Sequence, residues 1–135
     1  MSNCVFCKII KGEIPCSKIY EDDRFLCFLD IMPINKGHTL IVPKEHHETV
    51  LDMPADLLKN MFVLAKKISK AVMDGTDADG FNIGINSYEA AGQVVMHMHL
   101  HIIPRFKDDG LKSWANKQYS EGEEAEMAEK IKSKL

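Results

Sequence analysis

The sequence predicts an α+β domain in which about five strands form a largely antiparallel sheet beside one long helix. Two observations lead to this class: several short apolar runs are bounded by turn residues, and one long stretch has apolar residues at helical spacing. The predicted strands span residues 17–21, 25–30, 38–42, 81–85 and 94–103. The long helix spans residues 54–74, and shorter helices are predicted near the two ends of the chain.

Each predicted strand is set off by residues that favour turns. Asp22 and Asp23 separate the first two strands, which therefore form a hairpin. The third strand is β-branched and stops at Pro43. In the fourth, apolar residues alternate with small or polar ones, and the fifth is closed by Pro104.

The helices are predicted from apolar spacing and from signals at their ends. The long helix has Pro54 in its first turn and Gly75 at its C-terminal end. Its apolar stripe comprises Leu57, Leu58, Met61, Phe62, Ala65, Ile68 and Val72. Residues 4–10 form a short helix or knuckle, and Ser120 with Glu123 forms a possible capping box before a charged C-terminal helix. The apolar positions of that last helix are Ala128, Ile131 and Leu135.

The composition excludes several classes of protein. With 135 residues, 45% of them hydrophobic and 27% charged, the chain fits one globular domain, residues 1–135. A net charge of −3 without a basic stripe argues against nucleic acid or an anionic membrane as a partner. No run of about 18 apolar residues and no signal-like N-terminus are present, so we expect a cytoplasmic protein. There the four cysteines are expected to be thiols or metal ligands.

The run His97-Met98-His99-Leu100-His101 is the most informative part of the sequence. Side chains alternate along a strand, so the three histidines share one face and the apolar residues between them share the other. Three imidazolium ions in a row would repel one another, so this face needs neutrality, an anion or a metal. The residues alone leave open an anionic substrate, a three-histidine zinc site and an ordinary polar strand face.

Three motifs together resemble the histidine triad (HIT) superfamily, and most of all its HINT branch of nucleoside phosphoramidases. They are the triad itself preceded by Gly92-Gln93, the pair Phe28-x-Asp30, and the run Gly37-His38-Thr39-x-Ile41-x-Pro43-Lys44-x-His46. The resemblance covers about residues 4–105 and leaves residues 106–135 as a C-terminal extension of the same domain. It implies a homodimer with a HIT-like fold that hydrolyses purine nucleoside phosphoramidates or related phosphoanhydrides at the α-phosphorus.

The resemblance also implies roles for individual residues. The catalytic triad is His97, His99 and His101, with His99 as the nucleophile and His101 as a donor to phosphate oxygens. The residues expected to bind the nucleotide are Phe6, Ile9, Phe28, Asp30, Ile31, Asn86, Gly92, Gln93, Val94, His99 and His101. Asp30 would accept both ribose hydroxyls, and the backbone at Gly92-Gln93 would approach the phosphate. Val94 stands where relatives often carry a hydroxyl, and valine cannot donate a side-chain proton to a leaving group.

The pair Cys4-x-x-Cys7 points to a metal, although by itself it also fits a redox dithiol or plain buried thiols. In bacterial-type members similar to this chain, such a pair binds zinc together with the histidine of Pro-Lys-x-His and the first triad histidine. The resemblance therefore implies one structural zinc ion per chain, held by Cys4, Cys7, His46 and His97. The adjacent His47 competes with His46, and spacing does not choose between them.

Two classes of function follow from these motifs. The complete triad favours a hydrolase. In the transferase branch of the family that the chain resembles, glutamine replaces the third histidine, so the resemblance implies that a chain with His101 is a hydrolase rather than a nucleotidyl transferase. The alternative is a nucleotide- and zinc-binding interaction module in which hydrolysis is residual, and Val94 leaves room for it.

Overall fold

A computed structural model describes residues 3–135 and confirms the predicted α+β class with an antiparallel sheet. In chain order, the elements are α1 (Val5–Ile10), β1 (Lys18–Glu21), β2 (Phe25–Leu29), β3 (Thr39–Pro43), α2 (Ala55–Thr76), β4 (Gly80–Ile85), β5 (Leu100–Arg105) and α3 (Glu123–Lys132). Short 3-10 turns lie at Val50–Asp52 and Glu89–Ala91.

The five strands of this sheet are ordered β1-β2-β3-β5-β4, and every neighbouring pair is antiparallel. β1 and β2 form the predicted hairpin, with Lys18 opposite Phe28. The last strand lies between β3 and β4, so His101 is opposite Leu40 on one side and Gly84 on the other. The third triad histidine is therefore held on both sides by backbone pairing.

The sheet has two different faces. The long helix α2 covers one of them, where Met61, Ala65 and Ile68 pack against a cluster that includes Ile41 and Leu100. The short helix α1 covers part of the other face. There Phe6 packs with Leu26, Phe28, Leu40 and Val42, a second and smaller buried cluster. Since alternate residues of β3 join different clusters, the strand shows the period of two expected for a fully buried strand.

The last strand is shifted relative to its prediction. Residues 94–103 were expected to be extended, but β5 begins at Leu100 and continues through Pro104 to Arg105. Residues 94–99 approach the sheet irregularly because their backbone has other partners: the Met98 N–H donates to the His47 carbonyl at 2.6 Å. Pro104 is tolerated because β3 pairs with β5 only up to Ile102, which leaves Pro104 with a strand on one side only.

The long helix also differs at its ends from its predicted span of residues 54–74. Pro54 precedes the helix as its N-cap, and the helix passes through Gly75 to Thr76. The left-handed residue that ends it is Asp77, with a φ of 56°, and its N–H donates to the Met73 carbonyl. Aspartate tolerates this conformation better than most residues, so the helix does not require a glycine at its end.

One part of the predicted apolar stripe remains exposed. Phe62 is 46% exposed and its neighbour Val63 is 70% exposed, whereas Met61 and Ala65 are fully buried. Beside them, Phe81 and Ile83 on β4 are also exposed. This apolar surface, formed by Phe62, Val63, Phe81 and Ile83, is called the α2–β4 face below.

The C-terminal helix buries none of its residues against the part of the chain that the structure describes. Ile131, one of its predicted apolar positions, is 60% exposed. The predicted capping box is half formed: the Glu123 carboxylate accepts the Ser120 N–H at 3.0 Å, without a side-chain bond in return. Within residues 3–135, no helix is both long and apolar enough to cross a bilayer.

Candidate active site and metal cluster

His99 lies immediately before β5, and a nearby backbone carbonyl fixes the orientation of its ring. Its Nδ1 atom is 2.7 Å from the carbonyl oxygen of His97. A carbonyl only accepts, so Nδ1 carries the proton and Nε2 keeps a free lone pair. Burial lowers the pKa of His99 below its usual value, so the ring is neutral at neutral pH. The side chain thus presents an unprotonated nitrogen.

The tautomer of His101 is determined by a hydrogen bond with His38, a residue just before β3. The Ile34 N–H donates to His38 Nδ1 at 3.1 Å, so a neutral His38 carries its proton on Nε2. That nitrogen lies 2.9 Å from His101 Nδ1 and donates to it. His101 therefore carries its own proton on Nε2, a buried atom without a hydrogen-bond partner in the described part of the chain. Burial lowers the pKa of both rings, that of His101 to about 4.

His97 is oriented away from the other two triad rings. Its Nε2–H donates to the Pro43 carbonyl at 2.8 Å, which leaves Nδ1 unprotonated. Nδ1 lies 3.4 Å from the sulfur of Cys4 and 3.6 Å from that of Cys7. Burial lowers the pKa of His97 to about 4, so its lone pair is available at neutral pH. The ring of His97 thus contacts the two cysteines, whereas its carbonyl oxygen accepts the hydrogen bond from His99.

Cys4, Cys7, His46 and His97 form one cluster, called the metal cluster below. Each offers one ligand atom, and these four atoms lie within 4.8 Å of one another. The Cys7 sulfur is 3.3 Å from His46 Nδ1. Two ligands of a tetrahedral zinc ion, with bonds of about 2.3 Å to sulfur and 2.0 Å to nitrogen, would be about 3.5 Å apart, so the donors fit zinc.

His47 does not join the metal cluster. Its Nε2 lies 3.5 Å from a carboxylate oxygen of Glu45, and its Nδ1 lies 3.9 Å from one of Asp52. Between the two neighbouring histidines that the sequence left open, the geometry selects His46. The three-histidine zinc site is not formed either, since His97 lies in the metal cluster, whereas the donor group of Asp30, His38 and His101 is separate.

A cavity of about 420 Å³ opens between α1, the end of β2 and the triad. Nine predicted nucleotide-binding residues line it: Phe6, Ile9, Phe28, Asp30, Ile31, Gly92, Val94, His99 and His101. Its remaining wall was not predicted and comprises Val5, Ile14, Pro15, Cys16, Leu29, Met32, Leu40 and Val95. The walls are mainly apolar, and the two histidines and Asp30 supply polar groups. Such a cavity suits a flat apolar ring attached to an anionic group.

Gln93 is not brought to the cavity wall. Its Oε1 accepts the Tyr88 N–H at 2.8 Å, and its Nε2 donates to the Glu48 carbonyl. The backbone N–H groups of Gly92 and Gln93 are also engaged, with the carbonyls of Glu89 and Tyr88. These bonds hold the conformation of the loop, and Gly92 lies at the cavity wall, so the phosphate contact expected at the Gly92-Gln93 backbone stays a prediction.

Asn86 lies beside this loop and also stays off the cavity wall. A Cβ on Gly92 would be 3.6 Å from the Asn86 Nδ2, and Gly92 has a φ of 96°. Glycine is therefore required there by the left-handed backbone. Asn86 and Gly92 together shape the turn that leads to the triad.

Asp30 lies at the end of β2, where the cavity meets the His38–His101 pair. Its Oδ1 accepts the Met32 N–H at 2.9 Å, and its Oδ2 is 3.8 Å from His38 Nε2. The side chain is 23% exposed, so it is accessible from the cavity. A carboxylate here can accept hydrogen bonds from a ligand's hydroxyl groups.

His38 is the site residue that sequence reasoning missed. It belongs to the quoted motif, but no role was assigned to it. The signal was present in strand periodicity: His38 is two residues before Leu40, which pairs with His101. Residues two apart on a strand share a face, so His38 and His101 are neighbours once the pairing of β3 with β5 is known. That pairing is a long-range property that one sequence does not display.

Comparison with known proteins gives a consistent result. The sequence pattern of the HIT domain matches residues 11–108. An adenylylsulfatase from Arabidopsis thaliana is 48% identical over 115 residues, which are 85% of this chain and 57% of that protein. The chain thus spans little more than half the length of that relative. An adenosine 5'-monophosphoramidase from Schizosaccharomyces pombe is 38% identical over 135 residues, 98% of each chain.

Solved structures match nearly the whole chain. A HIT family protein from Bacillus subtilis superposes with a TM-score of 0.90 at 41% identity, covering 98% of this chain and 97% of that one. A zinc-bound histidine triad protein from Mycobacterium smegmatis gives a TM-score of 0.78 at 38% identity and covers 98% of both chains. Both matches include the region of the C-terminal extension.

Proposed function

We propose that this chain, which belongs to the HIT domain family, hydrolyses nucleoside 5'-phosphoramidates or related phosphoanhydrides at the α-phosphorus through a nucleotide covalently bound to His99. One observation carries the proposal: the buried ring of His99 is held through Nδ1 by a carbonyl, so Nε2 keeps a free lone pair beside an apolar cavity. The names of the relatives, an adenylylsulfatase and an adenosine 5'-monophosphoramidase, support a purine nucleotide as substrate.

The first step would form one bond and break one. The Nε2 lone pair of His99 attacks the α-phosphorus, and the bond to the leaving group breaks. The leaving group departs with the bonding electrons, and the nitrogen of a phosphoramidate takes a proton from solvent to leave as ammonia. The imidazole of His99 becomes a cation, which its Nδ1–H bond to the His97 carbonyl stabilises. Water then attacks phosphorus and releases one proton to solvent, the phosphorus–nitrogen bond breaks with its electrons returning to Nε2, and neutral His99 is restored.

His101 would bind the phosphate during both steps. Its Nε2–H is buried and lacks a partner within residues 3–135, so it is ready to donate to an anionic oxygen without first breaking another bond. His38 holds this proton at the right nitrogen through the 2.9 Å contact. It acts through His101 and is a positioning residue.

The rest of the cavity would bind the nucleoside. Asp30 would accept the ribose hydroxyls with the oxygen that faces the cavity, while Phe6, Ile9 and Phe28 would enclose the base. The apolar lining contributes affinity for a flat ring without selecting one base by hydrogen bonds. This arrangement agrees with a purine nucleotide bound by a protein of net charge −3.

A zinc ion would be held by Cys4, Cys7, His46 and His97, whose donors fit its preferred ligands. When bound, it would supply a cross-link between the N-terminal segment and the sheet. All four positions of a tetrahedral site are then filled by protein, so the role is structural. The zinc-bound relative from Mycobacterium smegmatis supports this assignment.

The α2–β4 face supports a homodimer. Phe62, Val63, Phe81 and Ile83 are exposed next to one another on adjacent elements, and a contiguous exposed apolar patch is typical of a protein–protein interface. A second copy of the chain would bury the same residues of both subunits about a two-fold axis.

The proposal is tested by turnover of adenosine 5'-phosphoramidate with purified wild-type protein and with the His99→Asn variant. We expect release of adenosine 5'-monophosphate by the wild type and almost none by the variant. The alternative, a nucleotide- and zinc-binding interaction module, is favoured by one observation: Val94 at the cavity rim, 91% exposed, has no proton for a leaving group. Tight nucleotide binding by the wild type without turnover would support this alternative.

A further inference from the structure

The short helix α1 lies between the metal cluster and the cavity, and it contributes to both. Cys4 is the N-cap residue of α1 and Cys7 lies within the helix, and both belong to the metal cluster. Val5, Phe6 and Ile9 of the same helix line the cavity. Any displacement of α1 therefore changes the two sites together.

The position of α1 depends on few contacts. The helix has six residues, and a helix of this length is not stable by itself in water. Phe6, the buried residue of α1, packs against the sheet. At its start, the Cys4 sulfur accepts the Cys7 N–H at 3.4 Å, so the metal cluster also caps the helix. Ile9 and Ile10 pack partly on the same cluster, so the thiols and these apolar contacts together hold this wall of the cavity in place.

Phe6 connects the helix to the nucleophile. Its ring is edge-on to that of His99 with a centroid distance of 5.0 Å, and edge-on to that of His97 at 5.9 Å. On its other side it meets Phe28 at 5.7 Å, also edge-on. Because Phe6 is 7% exposed, the ring fills the space between α1 and the triad. Moving α1 would remove this support from His99.

His97 provides a second connection. Its ring nitrogen Nδ1 faces the sulfurs of Cys4 and Cys7, and its carbonyl oxygen accepts the Nδ1–H of His99. One residue thus contacts the metal cluster through its side chain and the nucleophile through its backbone. The two sites are joined by the side chain and the backbone of a single amino acid.

We propose that metal binding at the cluster controls the affinity of the cavity for nucleotide, because the bound metal fixes α1 in the position where it forms the cavity wall. This inference rests on the proposed nucleotide-binding function. The four donors come from α1, from the segment after β3 and from the approach to β5, so a metal ion joins the wall of the cavity to the sheet. Linkage is reciprocal: nucleotide then raises the metal affinity by the same factor.

The test uses zinc-loaded, full-length protein and adenosine 5'-monophosphate (AMP) as the probe. Zinc transfer to a competing chromophoric chelator is measured with and without saturating AMP. We expect AMP to raise the zinc affinity by about tenfold, within the usual range of coupling between two sites. Calorimetric titration of AMP into zinc-loaded and zinc-depleted protein should give the same factor. The transfer measurement starts from loaded protein, so it does not require the depleted protein to remain folded.

Three variants separate the proposed route from other effects. Phe6→Leu keeps all four metal donors but loses the ring between α1 and His99, so zinc should stay bound while the effect of AMP falls below about twofold. Lys11→Ala, an exposed change at the end of α1, should keep the full effect. Asp30→Asn should weaken AMP binding, so the AMP concentration that saturates the wild type should have a smaller effect on zinc transfer in this variant. An undiminished effect would indicate direct chelation of zinc by AMP and overturn the inference.

The outcomes distinguish this inference from the function on which it rests. If AMP binds but leaves zinc transfer unchanged, metal and nucleotide are independent, and the inference is overturned while the proposed function stands. If AMP binds to neither form, the proposed function itself fails. If the purified protein takes up no zinc, the inference is overturned as well.

Discussion

The Nε2 atom of His38 lies 2.9 Å from the Nδ1 atom of His101, and this contact determines which nitrogen of His101 carries a proton. The chain of bonds begins at a backbone group, the Ile34 N–H, whose proton cannot move at neutral pH. The tautomer of His38, and then that of His101, follows from this N–H. The position of the proton on His101, which lines the cavity, is thus set by a peptide N–H four residues before His38.

Removing His38 should slow turnover without removing any group that touches the substrate. In His38→Phe, His101 loses its donor and can adopt the wrong tautomer, which should lower kcat by about tenfold, the value of one buried hydrogen bond. His38→Gln places an amide N–H near the lost Nε2 and should restore part of the rate. Steady-state kinetics with adenosine 5'-phosphoramidate measure both. Equal rates in the two variants would show that the hydrogen bond has no part in turnover.

The low pKa of His101 predicts activity in mildly acidic solution. Burial disfavours the charged ring, and the neighbouring His99 and His38 oppose a positive charge there as well, so the pKa of His101 lies at about 4 instead of 6.5. As the pH falls, the neutral form therefore persists through the range in which an exposed histidine becomes charged. We expect the acidic limb of the profile of kcat/KM against pH to lie below 6.5. A midpoint at or above 6.5 would contradict this.

The same residues show what the sequence could and could not predict. The alternation of His97, His99 and His101 with apolar residues was readable, because it depends on local periodicity. The start of β5 could not be predicted in this way, because a backbone hydrogen bond between Met98 and His47 replaces strand pairing there. The choice of His46 over His47 also required a three-dimensional distance to Cys7. Local patterns thus identified the groups, while tertiary contacts decided their partners.

For the exposed apolar surfaces, too, local patterns identified the residues, while tertiary contacts decided whether they are buried. Helical spacing placed Phe62 on the apolar stripe of α2, and the stripe does exist, but the sheet covers only its centre. The apolar positions of α3 were also found by spacing, yet Ile131 touches no core. Periodicity indicates which face of a helix is apolar. Whether another part of the chain covers that face depends on tertiary packing, which periodicity does not predict.

Cys4→Ser should lower zinc content and stability together. Serine is a good N-cap residue, so it preserves the helix cap that the Cys4 sulfur provides, and the loss can be assigned to the missing metal ligand. We expect less than one zinc ion per chain by atomic absorption and a lower melting temperature. Cys16→Ser, which removes a thiol outside the metal cluster, is the matched control. Wild-type protein that carries no metal and gains no stability from added zinc would contradict the closed site.

A charge on the α2–β4 face should produce monomers. Phe62→Glu places a carboxylate at the centre of the surface proposed to pair, where its burial would cost several kcal/mol. Light scattering at micromolar concentration should give twice the chain mass of 15.3 kDa for the wild type and the single mass for the variant. Leu51→Glu introduces the same charge at an apolar residue that is 77% exposed elsewhere, and it should remain dimeric. A wild-type mass near that of one chain would refute the dimer.

Replacing His99 should separate chemistry from binding. His99→Gln keeps approximately the volume and some hydrogen bonding but removes the nucleophile, so hydrolysis should fall by at least about a thousandfold. AMP should still bind, because Asp30 and the apolar cavity are unchanged. His101→Gln should have a milder effect, since an amide can still donate to the phosphate and the covalent step remains possible.

The covalent intermediate identifies the nucleophile directly. Rapid acid-free quenching of wild-type protein with a slow substrate should trap one nucleotide per chain, and mass spectrometry of the digested protein can locate it. We expect the label on His99, which lines the cavity. Its Nδ1–H is bound to the His97 carbonyl at 2.7 Å, so its Nε2 lone pair is free to react. His97 is a poor candidate because its free nitrogen faces the two cysteines, and His101 because its free nitrogen accepts from His38. A label on either of them, or near-normal turnover by His99→Gln, would overturn the proposed mechanism and favour attack by an activated water molecule.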